Sequence, residues 1–283
     1  MELTVHGCPA YCYTGGKPFD PALSAFVLVH GAHNDHSVWT AQARALAAHG
    51  HAVLAPDLPG HGRSAGPALG TVEAMADWLL ALLDAAATPG APGAPGRPGA
   101  LLAGHSMGAL IALEAAQRAP RAVAGLALLG ATYPMRVSDA LLETARRDEA
   151  AAIEMVAAWS HADWLPGPSL AEAGTSTLNT ARRLMQRMSA RNPAGLLYQD
   201  FNACSAYANG MAAAAAIACP TLFVLGNKDM MTPPRSAALL TGAIAHAAKV
   251  SVDAGHAMMA EAPDAVLDAL LGLARTVQRS RAA

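Results

Sequence analysis

The chain is short of aromatic residues (5%) and of charge (14%), has four cysteines, and contains no apolar run long enough to cross a bilayer comfortably. Each shortage excludes something. Little charge beside 53% hydrophobic residues rules out a disordered chain and calls for an extensive core. A formal net charge of −2, with lysines and arginines scattered along the chain, offers no long-range pull toward nucleic acid or an anionic membrane. Cys8, Cys12, Cys204 and Cys219 show neither metal-ligand spacing nor a dense disulfide framework; Cys8 and Cys12 could meet in a short hairpin, but idle thiols are the simpler reading. Residues 1–6 lack a basic region followed by an apolar run, so no secretory signal is expected. The longest apolar stretch, 211–225, is short and broken by Pro220. The expectation is a cytoplasmic protein with a small-molecule partner and no nucleic-acid or membrane partner.

What is present is an alternation. Short apolar runs at 25–30, 51–56, 100–104, 123–129, 220–225 and 249–252 read as buried strands. Between and after them, 37–49, 71–87, 107–118, 233–246 and 263–276 read as helices, the second with Thr71 as N-cap and Ala74, Trp78 and Leu82 on one face. This pattern predicts an α/β fold with a mostly parallel sheet flanked by helices. Residues 88–99, TPGAPGAPGRPG, read as a surface linker, because proline removes donors and glycine raises the entropy of ordering. The rhythm changes after Tyr133. Helical stretches at 138–160, 177–189 and 193–208 follow with no convincing strand. The expected organisation is therefore a core of 1–134 and 211–283, with 135–210 as a helical insertion over the sheet.

Gly104-His105-Ser106-Met107-Gly108 fits G-x-S-x-G and falls between a strand and a helix. A serine on such a turn needs glycines two residues to either side, where side chains would collide with the adjoining strand and helix. A serine hydroxyl also needs a base, and the base needs a carboxylate to orient it. Of eleven histidines, His256 follows the last strand through Asp253-Ala254-Gly255, at the carboxyl edge where parallel sheets place ligands. Asp229, in Gly226-Asn227-Lys228-Asp229, lies just beyond the strand at 220–225, on the same edge.

Four segments carry a resemblance: His30-Gly31-Ala32 with Val38-Trp39 downstream, Asp57-Leu58-Pro59-Gly60-His61-Gly62-Arg63-Ser64, Gly104 to Gly108, and Gly255-His256. With the chain order Ser106, Asp229, His256, they are similar to the α/β-hydrolase family across nearly the whole chain. The resemblance implies an eight-stranded, mostly parallel sheet whose first strands are 2–5 and 10–13, and a helical cap formed by the insertion. It implies an oxyanion hole made by the backbone N–H groups of Ala32 and Met107. It implies a serine hydrolase that cleaves a carboxylic ester or thioester of a small to medium, largely uncharged substrate, with no cofactor. The same triad also serves C–C cleavage of a diketone, perhydrolysis and acyl transfer, and the fold can persist in a non-catalytic binding protein. Serine at 106 argues against the dehalogenase and epoxide hydrolase branches, which use aspartate there.

Other residues have two readings each. His33, Asp35 and His36 offer metal-ligand atoms, but adjacent and loop-borne they better suit a pocket mouth, and no metal is expected. Asp57 and His61 read as local supports of their loop. His33, His105, Trp159, His161, Trp164 and Tyr207 are the candidate pocket residues, with Tyr198 and Asn202 beside them in the insertion. Core packing accounts for the aromatics equally well.

Overall fold

The computed structural model describes residues 1–86, 99–162, 177–192 and 194–282. Of the expected linker only Gly99 falls among them, and Trp164 lies outside them.

Eight strands form one sheet: β1 (Glu2–Val5), β2 (Cys8–Tyr13), β3 (Ala25–Val29), β4 (Ala52–Pro56), β5 (Ala100–His105), β6 (Val123–Leu129), β7 (Thr221–Gly226) and β8 (Ala248–Val252). Their spatial order is β1-β2-β4-β3-β5-β6-β7-β8. The first two join antiparallel, β2 meets β4 antiparallel, and all later pairs are parallel. The central strands are apolar on both faces because helices cover both. In β3, Val27 and Val29 face one hydrophobic cluster while Phe26 and Leu28 face the other, the two-residue period of a pleated strand.

The first cluster is closed by α2 (Val72–Ala86), α3 (Met107–Arg118), α8 (Gly210–Ala215) and α9 (Ala238–Ala243). The second is closed by α1 (Thr40–Ala48), α10 (Met258–Glu261) and α11 (Pro263–Ala282). Between β6 and β7 lie α4 (Asp139–Arg147), α5 (Glu149–Trp159), α6 (Thr177–Arg191) and α7 (Leu196–Ala206) ahead of α8, and they enclose a small core of their own around Leu141, Ile153, Met185, Leu197 and Phe201.

Three helical expectations need correction. The stretch 138–160 is two helices, split at Asp148, whose φ of −145° leaves the helical region and whose Oδ1 accepts the Ala151 N–H at 3.0 Å as an N-cap. The stretch 37–49 opens as a 3-10 turn, His36–Trp39, before α1. The stretch 233–246 likewise divides into a 3-10 turn, Pro234–Ala237, and the short α9.

The strand order reverses between β3 and β5, since the chain leaves β3 toward β4 on one side and returns to β5 on the other. That reversal opens a crevice at the carboxyl ends of the strands. Gly31 and Ala32 follow β3, and Ser106 follows β5, so both stand at its lip.

Candidate active site at the carboxyl edge of the sheet

Ser106 occupies the turn between β5 and α3 with φ 54° and ψ −118°, a conformation a side chain bearing Cβ rarely adopts. The strain is held in place by tight packing of the two glycines around it. A Cβ on Gly104 would lie 2.0 Å from the Gly108 carbonyl oxygen, and one on Gly108 would lie 2.4 Å from that of Val29. The Ser106 N–H donates to the Leu129 carbonyl at 2.9 Å, which ties the turn to β6. Met107 begins α3, so its N–H is among the first-turn donors that have no partner within the helix.

His256 and Asp229 are both buried and joined. The His256 Nδ1–H donates to Asp229 Oδ2 at 2.8 Å. The other carboxylate oxygen, Oδ1, accepts the Met231 and Thr232 N–H groups, each at 2.8 Å, and the Thr232 hydroxyl lies 2.8 Å from Oδ2. Burial by itself would raise the Asp229 carboxyl; the His256 charge and hydrogen bond, with those from Thr232, outweigh it and bring the group down to about 2. With Nδ1 spent on Asp229, His256 presents Nε2 as its free edge.

Two cavities meet at this point. Ser106, Ala32 and His256 line both, one of about 480 Å³ and one of about 300 Å³. Of the expected pocket residues, His105 and His161 line the larger and Trp159 the smaller. His105 donates its Nε2–H to the His256 carbonyl at 2.9 Å; burial, then the neighbouring His256 charge, pushes it down to about 3, so it stays neutral. His161 donates its Nδ1–H to the Ala157 carbonyl at 2.8 Å, which leaves Nε2 as an acceptor. Two of the expected pocket residues line neither cavity. Tyr207 is turned into the core, where its hydroxyl donates to Glu114 Oε2 at 2.7 Å. His33 is fully buried and donates its Nε2–H to Ser189 Oγ at 3.0 Å. Tyr198 packs on the insertion's own core, and Asn202 is exposed.

The one cluster of metal-ligating side chains among the described residues is Asp35, His36 and Asp57, and His33 is not part of it. Protein groups already engage its oxygens. Asp57 Oδ1 accepts the His36 N–H and Nδ1–H, each at 2.7 Å, its Oδ2 accepts the Arg63 N–H at 2.8 Å, and Asp35 Oδ1 accepts the Ser37 N–H at 2.8 Å. The cluster is a loop brace.

Sequence reasoning missed two supporting carboxylates. Glu261 Oε2 accepts the Gly255 N–H at 2.7 Å and its Oε1 accepts the Ala162 N–H at 2.8 Å, clamping the His256 loop to the end of α5. Asp200 on α7 does the same for the loop after β3. Nothing in local spacing marks Asp200, whose partners lie more than a hundred residues away, and of Glu261's two partners only Gly255 is near in the chain.

The model of the alpha/beta hydrolase family matches residues 26–269. The chain belongs to the alpha/beta hydrolase family. Over 117 residues, 41% of the chain, it is 41% identical to the dihydrolipoyllysine-residue acetyltransferase component of an acetoin cleaving system from Pseudomonas putida, a match that spans only 27% of that protein's length. Its fold is similar to that of the enol-lactonase from Burkholderia xenovorans LB400, with 23% identity and a TM-score of 0.78 over 97% of this chain and 100% of that one. It is also similar to a thermophilic esterase from Thermogutta terrifontis, solved with malate bound, with 25% identity and a TM-score of 0.76 over 98% of each chain. No helix among the described residues is long and apolar enough to cross a membrane.

Proposed function

We propose that the protein is a serine hydrolase that cleaves a carboxylic ester or thioester through an acyl-enzyme. The observation that carries this reading is the buried His256–Asp229 pair opening onto the same cavities as the strained Ser106. In the first half-reaction Ser106 Oγ attacks the acyl carbon while its proton passes to His256 Nε2. The C–O or C–S bond then breaks, and the proton passes from His256 to the departing alcohol or thiol. Water repeats the sequence on the acyl-enzyme and releases the acid. Asp229 holds the imidazole with Nδ1 protonated and stabilises the imidazolium that forms. The N–H groups of Ala32 and Met107 receive the oxyanion; in related chemistry, loss of one such donor costs roughly 3 kcal/mol of transition-state stabilisation.

We read the insertion, 135–210, as the cap that closes the site. It supplies Val156, Leu184 and Met185 to the larger cavity, an apolar wall suited to a small or medium acyl group. The charged side chains among the described lining residues of that cavity are Arg44 and Arg187, both cations, with no carboxylate among those residues. This disfavours cationic substrates relative to neutral ones. The esterase and lactonase among the similar structures agree with an ester carbonyl as the target. The acetyltransferase relative favours one second reading, capture of the acyl-enzyme by a thiol or alcohol in place of water.

The test is a panel of p-nitrophenyl esters of rising acyl length, run with and without an added thiol acceptor, beside labelling by a fluorophosphonate. The expected outcome is turnover of short to medium esters and labelling that disappears in Ser106→Ala. Ser106→Ala and His256→Ala should each abolish turnover with a melting temperature close to wild type. A folded wild type that neither labels nor turns over any ester would place the protein among non-catalytic binders.

A further inference from the structure

Asp200 lies within α7, fully buried, where no step of the proposed reaction needs a carboxylate. Its Oδ2 accepts two hydrogen bonds from loops of the core: the His33 backbone N–H at 2.8 Å and the His61 Nε2–H at 2.9 Å. The second ring nitrogen of His61, Nδ1, donates to the Pro59 carbonyl at 3.1 Å. Carbonyl and carboxylate only accept, so both nitrogens of His61 carry protons and the pair is an imidazolium against a carboxylate. Burial alone would lower His61, but the charge of Asp200 and its hydrogen bond reverse the effect and raise it. An ion pair drawn out of water is a poor source of net stability. What it holds in place is the more informative property.

It holds one peptide unit. His33 has φ 55°, in the left-handed region, and its N–H is pinned by Asp200. The carbonyl of that same peptide, from Ala32, accepts the Asn34 Nδ2–H at 3.1 Å. On the other side, the Gly31 carbonyl accepts the His30 Nδ1–H at 2.9 Å. With the peptides before and after Ala32 both anchored, the direction of the Ala32 N–H is left little freedom. That N–H points usefully only if it meets the oxygen of the tetrahedral intermediate.

We propose that Asp200 is a positioning residue: from the helical insertion, it fixes the Ala32–His33 peptide and so aims the Ala32 N–H at the oxyanion. The proposal rests on the serine-hydrolase reading above. It makes the insertion part of the catalytic geometry, beyond forming a wall of the pocket.

The test compares Asp200→Ala and Asp200→Asn with wild type in two readouts: steady-state kinetics on a p-nitrophenyl ester, and amide hydrogen exchange at 30–36 with 101–105 as control. An oxyanion donor acts in the transition state more than in the ground state. Asp200→Ala should therefore lose roughly 10- to 100-fold in kcat with KM within about twofold. Its 30–36 segment should exchange faster while 101–105 stays protected. Asp200→Asn keeps an oxygen to accept the His33 N–H, the bond that fixes the peptide, and should stay within about threefold of wild-type kcat, with wild-type exchange at 30–36. If alanine prevents folding, Asp200→Ser is read in the same way. Wild-type kcat and wild-type exchange in Asp200→Ala overturn the proposal, as does a kcat that falls only in proportion to the folded fraction. If wild type turns over no ester, exchange decides: faster exchange at 30–36 upholds the tether and leaves the fault with the hydrolase reading, and unchanged exchange removes both.

Discussion

Two buried histidines flanking the site hold opposite protonation states, and the atoms around them explain why. His105 donates from Nε2, its Nδ1 faces no donor or acceptor, and it sits against His256, so a second proton there has no carboxylate partner. His61 has an acceptor at each nitrogen and a carboxylate as one of them. Their effects on stability run in opposite directions with pH. For His105 the folded value, about 3, lies below the ordinary 6.5, so the unfolded chain binds more protons between the two. Its contribution is complete above pH 6.5 and is lost as the pH falls toward 3. His30, lowered to about 4 chiefly by burial, behaves alike. His61 is raised, so its contribution is present below its unfolded value and is lost as the pH rises through its folded one. Between pH 7 and 5 His105 and His30 act together with His33 and His51, which burial also lowers, and the melting temperature should fall. In His105→Gln, which keeps a donor for the His256 carbonyl, the fall should be smaller. Thermal melts at pH 7, 6 and 5 check this, and equal slopes in the two proteins would show that His105 takes its proton without penalty.

At the scale of elements, the turn that carries Ser106 is the segment where sequence and geometry agree most closely. Gly108, the second residue of α3, packs against the end of β3, and an added methyl would stand 2.4 Å from a backbone carbonyl oxygen that cannot rotate away. Gly108→Ala should cost at least about 1–3 kcal/mol by urea denaturation, and it should lower kcat by displacing Ser106. A change within about 0.5 kcal/mol would mean that α3 slides freely on β3. The turn was legible because glycine two residues either side of a serine, between an apolar run and a helix, is a local pattern. The buried strands were legible for the same reason, as runs of Val, Leu and Ala bounded by turn residues. Helix ends were less so. Asp148 interrupts no apolar periodicity, and only its backbone and its bond to Ala151 reveal the break. Chain position alone places Tyr207 and His33 at the pocket, yet both point inward to partners on other elements, Glu114 on α3 and Ser189 on α6. Asp200 lies beyond local reasoning altogether, since a carboxylate on a helix surface and one buried against a distant loop have the same sequence context.

Across the whole molecule, the net charge of −2 is opposite in sign to the charge of the described residues lining the larger cavity. Three carboxylates around the candidate site are committed: Asp229 to His256, Asp200 to His61 and His33, Glu261 to the His256 loop. None of them lines the larger cavity, whereas the exposed Arg44 and Arg187 do, from α1 and α6. Arg44 is held by its Nε–H, which donates to the Tyr13 hydroxyl at 2.9 Å. A substrate carrying a cation therefore approaches two like charges with no compensating acid among the described lining residues. Two exposed charges at about 10 Å in a water-like medium oppose it by about 1 kcal/mol together, which corresponds to roughly fivefold in kcat/KM. Butyrylcholine and its neutral isostere, 3,3-dimethylbutyl butyrate, share an acyl group and a shape and differ in that one charge. The neutral ester should be the better substrate by about that factor, and Arg187→Gln should narrow the gap. Raising ionic strength toward 1 M, where the screening length falls to about 3 Å, should narrow it as well. Equal turnover of the two esters at low salt would mean that the guanidinium groups swing clear of the bound substrate, and a preference for the choline ester would require an acid outside the described lining to face the cavity.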